Sequence, residues 1–236
     1  MKLPKHIFFD LDHTLWDYET NSIATIHELL ATYRPQMGRE IPFEEFYPIY
    51  SAHNHDLWSR YRHNEIDNLT LRYQRWRMAF QDLGIAEAPW MYEMSEAFLE
   101  ICPLKPNLMP NAMAVLESLA QHFPLHIITN GFAQIQDQKL AHSGLRPFFD
   151  VIVTPDDGGF KKPHPSIFLE ALQKVGCAPN EALLIGDSYP EDILGGSAVG
   201  MHVVYYNPKK KGNPGGFAEV GDLLELVGML GEFTHQ

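Results

Sequence analysis

The sequence is poor in cysteine, in long apolar runs and in positive charge, and each shortage excludes a class of protein. Its 236 residues include only two cysteines, Cys102 and Cys177, too few for a disulfide-stabilised secreted scaffold. No apolar run is long enough to cross a membrane and no signal peptide is evident, so a cytoplasmic protein without membrane contact is predicted. A formal net charge of -12 argues against a nucleic-acid polymer as partner.

Two acids at the end of a short apolar run are the most informative feature that is present. Asp10 and Asp12 follow Ile7-Phe8-Phe9, a run that predicts a buried strand. Two carboxylates so close together cost stability, because desolvation and mutual repulsion both oppose their ionised forms. A hard cation removes that cost, so a metal site is expected here. Asp187, at the end of a second apolar run, strengthens the expectation.

Apolar runs that alternate with helical patterns predict a Rossmann-like α/β fold, with a doubly wound parallel sheet and right-handed crossovers. The predicted strands are 6–10, 125–129, 150–154, 182–187 and 202–206, and the helices between the later ones are 111–122, 133–142, 165–175 and 190–199. Ligands of such folds bind beyond the carboxyl ends of the strands. Asp10, Thr129 and Asp187 lie at such ends, and we expect them to converge in space.

A long segment without strand patterns interrupts the alternation after the first strand. It predicts an inserted α-helical bundle with helices 22–33, 43–62, 69–83 and 90–101, in which Pro48 lies near a first turn or a kink. The predicted domains are therefore a core of residues 1–16 and 105–236 and a helical insertion of residues 17–104.

The aromatic and basic residues of the first hundred positions are interpreted as structural. Trp16, Trp58, Tyr61 and Trp76 are expected in the core, although one of them could instead face the active site and grip a nucleobase. The arginines are expected on solvated helix faces: Arg60, Arg62, Arg72, Arg75 and Arg77.

Four segments resemble, in order, the motifs of the haloacid dehalogenase (HAD) superfamily. They are Asp10-Leu11-Asp12-His13-Thr14, Ile127-Ile128-Thr129-Asn130-Gly131, Lys162-Pro163 and Gly186-Asp187-Ser188-Tyr189-Pro190-Glu191-Asp192. The helical insertion has the position of the family's C1-type cap. Any one motif is a weak signal, but four in the expected order and context, over nearly the whole chain, are a strong one.

The resemblance implies a role for each motif residue in phosphoryl transfer. Asp10 is the implied nucleophile, and Asp12 the implied general acid and then base. Thr129, Asn130 and Gly131 are implied to donate hydrogen bonds to the phosphoryl group, and Lys162 to bring a cation to it. Lys161 is the alternative to Lys162. His13 either shapes the entrance and touches substrate or is a solvated turn residue.

The resemblance also implies Mg²⁺ as cofactor. Its implied ligands are the carboxylates of Asp10 and Asp187 and the backbone carbonyl of Asp12. Asp192 is expected beside them, acting on a metal-bound water or on Lys162.

The function predicted from these motifs is a Mg²⁺-dependent phosphomonoesterase. The first two motifs are most similar to the bacterial pyrimidine 5'-nucleotidases, so a nucleoside monophosphate is the expected small-molecule partner. A sugar-phosphate phosphatase or phosphomutase is the nearest alternative. A 2-haloacid dehalogenase is disfavoured because those relatives typically lack an acid at the position of Asp12. A phospho-acceptor signalling domain is the non-enzyme alternative. The oligomeric state is left open.

Overall fold

The computed structural model describes residues 4–231, apart from the side chains of residues 157 and 158. The chain forms two compact units: a core unit of Met1–Tyr18 with Pro106–Gln236, and a helical unit of Glu19–Lys105. Within the described residues, no helix combines the length and the apolar character that crossing a membrane requires.

A parallel six-stranded sheet is the centre of the core unit as described over residues 4–231. Its strands are β1 (His6–Phe9), β2 (Leu125–Ile128), β3 (Phe149–Val153), β4 (Ala182–Gly186), β5 (His202–Tyr206) and β6 (Ala218–Val220). The strand order is β3-β2-β1-β4-β5-β6, with every pair parallel. The predicted Rossmann-like fold is confirmed. The sixth strand was not predicted, because two of its three residues are exposed and it has no apolar run.

The core unit has helices between its strands and one after the last strand. They are α6 (Ala112–Leu119), α7 (Ala133–His142), α8 (Pro155–Gly158), α9 (Pro165–Val175), α10 (Gly195–Ala198) and α11 (Glu225–Gly231). The helix predicted over 190–199 is in fact a π-helical turn, Tyr189–Leu194, followed by α10. A Cβ on Gly195 would lie 2.7 Å from the Phe168 ring, so only glycine allows this segment to pack so closely on α9.

The helical unit contains α1 (Tyr18–Thr32), whose first residue belongs to the core unit, and four further helices, α2 (Arg34–Met37), α3 (Phe43–Arg62), α4 (Asn68–Asp82) and α5 (Pro89–Ile101). The predicted bounds of α3 agree with the structure, with Pro48 inside the helix. Aromatic side chains from α3 and α4 pack together in the core of the helical unit, where Phe46 contacts Tyr50, Trp76 and Phe80. The prediction that Trp76 is a core residue is therefore confirmed.

The prediction of a solvated Arg75 is wrong. Arg75 is 3% exposed, and its guanidinium lies 4.9 Å from the centre of the Phe98 ring. Its Nη1 donates to Asn54 Oδ1 at 3.0 Å and its Nε donates to the Arg72 carbonyl at 3.3 Å. An arginine can occupy an apolar interior when aromatic faces and hydrogen-bond acceptors replace its water, and here they come from three helices.

Candidate active site

Three adjacent strands bring the predicted site residues to one edge of the sheet. Because β1 lies between β2 and β4, the residues that follow these strands are neighbours at their carboxyl ends. Asp10 follows β1, Thr129 follows β2 and Asp187 follows β4. The Asp10 amide still donates to the Ile185 carbonyl at 2.9 Å, so the sheet fixes its position.

Lys162 is buried between two carboxylates. Its Nζ donates to Asp10 Oδ1 at 2.5 Å, to Asp192 Oδ1 at 2.6 Å and to the Ile128 carbonyl at 2.9 Å. Burial alone would lower the pKa of Lys162, but Asp10 and Asp192 outweigh burial and raise that pKa above its usual value. The ammonium is therefore charged at neutral pH and joins three parts of the chain that are distant in sequence.

Asp10, Asp187 and Asp192 form an acidic cluster. One carboxylate oxygen from each lies within 4.8 Å of the others. Burial raises the pKa of Asp10 to about 6, although Lys162 acts in the opposite direction. Burial, followed by repulsion from Asp10 and Asp192, raises the pKa of Asp187 well above its usual value. The cluster holds more negative charge than Lys162 compensates.

The donors of this cluster fit a hard divalent cation. Within residues 4–231 the Asp187 carboxylate accepts no hydrogen bond, whereas Asp192 is engaged with Lys162 and with the Ser188 amide, at 3.0 Å. Oxygen-only donors with uncompensated charge are what Mg²⁺ prefers. A Cβ on Gly186 would lie 2.3 Å from the Asp192 carboxylate, so the glycine of the fourth motif leaves room for that side chain.

The Asp12 carboxylate is paired with Lys139, not with Lys162. Lys139 Nζ donates to Asp12 Oδ1 at 2.6 Å and to Oδ2 at 2.8 Å, and Gln136 Nε2 donates to Oδ2 at 2.9 Å. Burial opposes ionisation, but Lys139 and Gln136 outweigh it and lower the pKa of Asp12 below its usual value. The side chain is not part of the acidic cluster, and the predicted metal ligand at this residue is its backbone carbonyl.

Residues 129–131 are held by hydrogen bonds of their own. The Thr129 hydroxyl oxygen accepts from the Gly131 amide at 3.1 Å and from Gln136 Nε2 at 2.7 Å. Asn130 Nδ2 donates to the Lys162 carbonyl at 3.0 Å, and Asn130 Oδ1 accepts from the Lys162 amide at 2.7 Å. Nδ2 also donates to the Glu191 carboxylate at 2.9 Å. The Asn130 side chain therefore fixes the backbone of Lys162. The predicted contact of Asn130 with substrate would be made by its backbone amide.

Two of the residues left open from the sequence lie at the periphery. His13 is exposed at a backbone φ of 66°, with its ring 5.1 Å from that of Tyr18. Lys161 is partly buried, and burial lowers its pKa. The ion pairs with Asp10 and Asp192 belong to Lys162.

Gln136, Lys139 and Glu191 are the polar residues of this region that sequence reasoning missed. Gln136 and Lys139 lie three residues apart on α7 and are 0% and 5% exposed. A glutamine and a lysine on the buried face of a helix that directly follows a motif strand were the available signal. Glu191 lies within the quoted fourth motif, but its contact is with Asn130, 61 positions away in the sequence.

Comparison with known proteins identifies the family to which the chain belongs. The chain matches the family model of the haloacid dehalogenase-like hydrolases over residues 4–200. It is 30% identical over 228 residues to the pyrimidine 5'-nucleotidase YjjG of Escherichia coli, covering 95% of this chain and 96% of that one. It is 32% identical over 206 residues to a glyceraldehyde 3-phosphate phosphatase of Methanothermobacter thermautotrophicus, covering 86% and 85%.

A solved structure has the same fold. The crystal structure of YfnB from Bacillus subtilis bound to magnesium is similar with a TM-score of 0.87 at 26% identity, and the match covers 98% of this chain and 100% of that one. These similarities confirm the predicted superfamily and the prediction of a phosphatase-type hydrolase. With its sheet, its helical insertion and its four motifs, the chain belongs to the haloacid dehalogenase-like hydrolases.

Proposed function

We propose that the protein is a Mg²⁺-dependent phosphomonoesterase that acts through an aspartyl-phosphate on Asp10. The observation that supports this most directly is the pairing of Asp10 with Lys162 inside the acidic cluster, at the carboxyl ends of the strands. A carboxylate fixed by a buried ammonium presents its other oxygen in one direction. A nucleophile for in-line phosphoryl transfer requires such an orientation.

In the first step Asp10 Oδ2, the oxygen that accepts from the Thr14 hydroxyl at 3.4 Å and not from Lys162, attacks the phosphorus of the ester. The bond from phosphorus to the ester oxygen breaks, and Asp12 delivers a proton to that oxygen so that the alcohol leaves neutral. The Thr129 hydroxyl accepts two hydrogen bonds within the protein, so its own hydrogen is available for a phosphoryl oxygen. Lys162 contributes positive charge near the phosphoryl oxygens.

In the second step water hydrolyses the aspartyl-phosphate. Asp12 accepts a proton from the water, whose oxygen bonds to phosphorus, and the bond from phosphorus to Asp10 breaks with its electron pair returning to the carboxylate. The ionised Asp12 favoured by Lys139 is the form that this step needs. For the first step Asp12 must first bind a proton, which the completed second step supplies.

Asp10, Asp187 and the backbone carbonyl of Asp12 would hold the Mg²⁺, with Asp192 beside them. When bound, the ion would neutralise the cluster and the phosphoryl oxygens. The prediction that residues 17–104 act as a cap, and that His13 lies at the substrate entrance, is part of the same proposal.

A pyrimidine nucleoside monophosphate is the proposed substrate. Similarity to the nucleotidase YjjG over nearly the full chain supports it. A small sugar or triose phosphate is the second candidate, because a relative of comparable identity is a glyceraldehyde 3-phosphate phosphatase. Side-by-side assays of phosphate release from nucleotides and sugar phosphates decide between them, and a transferred phosphate recovered in a sugar bisphosphate would indicate a mutase.

The test of the reaction class uses Mg²⁺, EDTA and two kinds of substrate. Phosphate release from esters should require Mg²⁺ and stop with EDTA. Halide release from a 2-haloacid without metal would instead support a dehalogenase, and a stable phosphoprotein after incubation with acetyl phosphate would support a signalling domain. Either result, with no phosphate release from any ester, would overturn the proposal.

A further inference from the structure

Helix α7 carries two polar side chains that no motif of the sequence includes. Gln136 and Lys139 are three positions apart, so they extend from the same face of the helix. Both are buried, although glutamine and lysine are ordinarily surface residues. Burial of this kind needs a compensating set of partners, and the partners here are Asp12 and Thr129.

Lys139 contacts both oxygens of the Asp12 carboxylate, at 2.6 and 2.8 Å. Its Nζ also lies 4.6 Å from the centre of the Trp16 ring and 5.7 Å from that of Tyr18. An ammonium between two aromatic faces and a carboxylate has little freedom to move, since each contact restricts a different torsion of the side chain. The plane of the Asp12 carboxylate is fixed with it.

Gln136 connects Asp12 to the second motif. Its Nε2 donates to Asp12 Oδ2 at 2.9 Å and to the Thr129 hydroxyl at 2.7 Å. A Cβ on residue 131 would lie 2.0 Å from the same Nε2, so glycine is needed at this position to let the amide reach both partners. A proton-transferring carboxylate and a phosphoryl-binding hydroxyl are thus coupled through one side chain.

We propose that Lys139 and Gln136 are positioning residues of the active site, which hold the Asp12 carboxylate and the Thr129 hydroxyl in the orientation that hydrolysis of the phosphoenzyme requires. This inference rests on the proposed function. In this role neither side chain contacts the phosphoryl group or the attacking water, and both act through Asp12 or Thr129. Its consequence falls mainly on the second step, in which Asp12 must point one oxygen at the attacking water, because a misplacement of about 1 Å can cost roughly 10²-fold in rate.

The test compares Lys139→Met with wild type in the presence of Mg²⁺, with p-nitrophenyl phosphate as substrate. Nitrophenolate is a good leaving group and needs no general acid, so the first step should stay fast in the variant. Stopped-flow absorbance should then show a burst of about one nitrophenolate per enzyme, followed by steady-state turnover reduced by about 10²-fold. A variant that is merely misfolded would lose burst amplitude and turnover in parallel.

Three companion variants keep the test decisive. Lys139→Arg should recover part of the steady-state rate, because a guanidinium can still pair with the carboxylate. Gln136→Met should also show a burst, with a smaller loss of turnover. Lys174→Met, which removes a lysine paired with Glu170 on the surface of the same unit, should behave as wild type.

The outcomes separate this inference from the function on which it rests. If the wild-type protein releases no phosphate from any ester, the proposed function fails. If the wild type is active and Lys139→Met turns over at the wild-type rate without a burst, the proposed function stands and the positioning role is overturned. A folded Lys139→Met that loses burst and turnover equally would also overturn it, because the first step would then depend on Lys139 as much as the second.

Discussion

Buried positive charge is handled differently in the core unit and in the helical unit. In the core unit Lys162 and Lys139 each lie against aspartate oxygens at 2.5 to 2.8 Å. In the helical unit Arg75 is buried as deeply, but among residues 4–231 its recorded partners are a side-chain amide, a carbonyl and aromatic faces. Paired charges at low dielectric can orient a reacting group, whereas a charge held by aromatic rings, an amide and a carbonyl stabilises the packing of helices.

The ion pairs of the helical unit lie at its surface. Arg34 with Glu40 and Arg39 with Glu45 are both well exposed. Exposed pairs of this kind contribute little to the free energy of unfolding, because solvent screens them and the side chains lose entropy. We therefore expect large effects from substitutions of the buried charged residues of the core unit, and small effects from substitutions in the exposed ion pairs of the helical unit.

The largest expected effect is on activity, from Asp10→Asn. An amide cannot form the phosphoenzyme, so turnover should fall by about 10⁴-fold or more. The fold should persist, because Lys162 keeps its bond to Asp192. Steady-state phosphate release and far-UV circular dichroism measure the two results, and substantial activity in a freshly purified variant would contradict the nucleophile assignment.

Lys162→Met should give the largest loss of stability. It leaves Asp10 and Asp192 buried without their cation, a change that typically costs about 3–5 kcal/mol of the free energy of unfolding. Urea denaturation measures the loss. Lys161→Met is the matched control, and we expect it to change the free energy of unfolding by less than about 1 kcal/mol. Equal losses in the two variants would show that the buried pairs are not the cause.

Asp187→Asn should increase stability in the absence of metal, in contrast to Lys162→Met. Removing one carboxylate relieves repulsion, so without metal the variant should unfold at a higher temperature than wild type. Mg²⁺ should raise the unfolding temperature of wild type, since a ligand at 100 times its Kd adds about 2.7 kcal/mol, and should raise that of the variant far less. Scanning calorimetry with EDTA and with Mg²⁺ tests both statements, and an equal response to Mg²⁺ would exclude Asp187 as a ligand.

In both units the sequence predicts features that depend on local pattern and does not predict contacts between distant residues. In the core unit the strands are continuous apolar runs and the reactive residues come directly after them, so local pattern indicated the place of Asp10, Thr129 and Asp187. The predicted bounds of β5 agree with the structure, and those of α7 and α9 do as well. The residues that were missed, Lys139 and Gln136, both contact Asp12, which lies more than a hundred positions away in the sequence.

In the helical unit the pattern predicted α1, α3, α4 and α5, but it did not predict α2 or the contacts between the helices. The burial of Arg75 depends on the Tyr50 ring of α3 and the Phe98 ring of α5. The sequence of α4 alone does not indicate these contacts. The same limit applies to β6, whose three residues pair with β5 although they lack strand character of their own. Motifs and periodicity are local, while burial of a polar group is a property of the assembled unit.

Arg75→Met tests the contrast between the units directly. It removes two hydrogen bonds and a cation–π contact but leaves no carboxylate unpaired, so we expect a loss of about 1–2 kcal/mol in the free energy of unfolding. Urea denaturation beside Lys162→Met gives the comparison. A loss as large as that of Lys162→Met would mean that the guanidinium is as strongly stabilised by amide and aromatic partners as the ammonium is by carboxylates.

The smallest effect expected near neutral pH concerns His126, a buried group of the core unit that the proposed mechanism does not use. Its Nε2 lies 3.0 Å from His6 Nδ1, and its own Nδ1 is buried without a partner. Burial, with repulsion from His6, lowers the pKa of His126 to about 4. An unfolded chain takes up a proton there near pH 6.5, so protonation favours unfolding as the pH falls from about 6.5 to about 4.

His126→Phe should remove this contribution, and the neighbouring Phe8 ring offers the new side chain an apolar contact. Asp10, whose pKa is raised, acts in the opposite direction over the same range, so the informative quantity is the difference between the two proteins. We expect the free energy of unfolding of wild type to decrease relative to the variant below pH 6.5, by at most about 1.4 kcal/mol per pH unit for a single proton. Urea denaturation at intervals from pH 8 to pH 4 measures it. Parallel curves would show that burial does not lower the pKa of His126 in the native protein, in which case a buried charge in the core unit would not require a carboxylate partner.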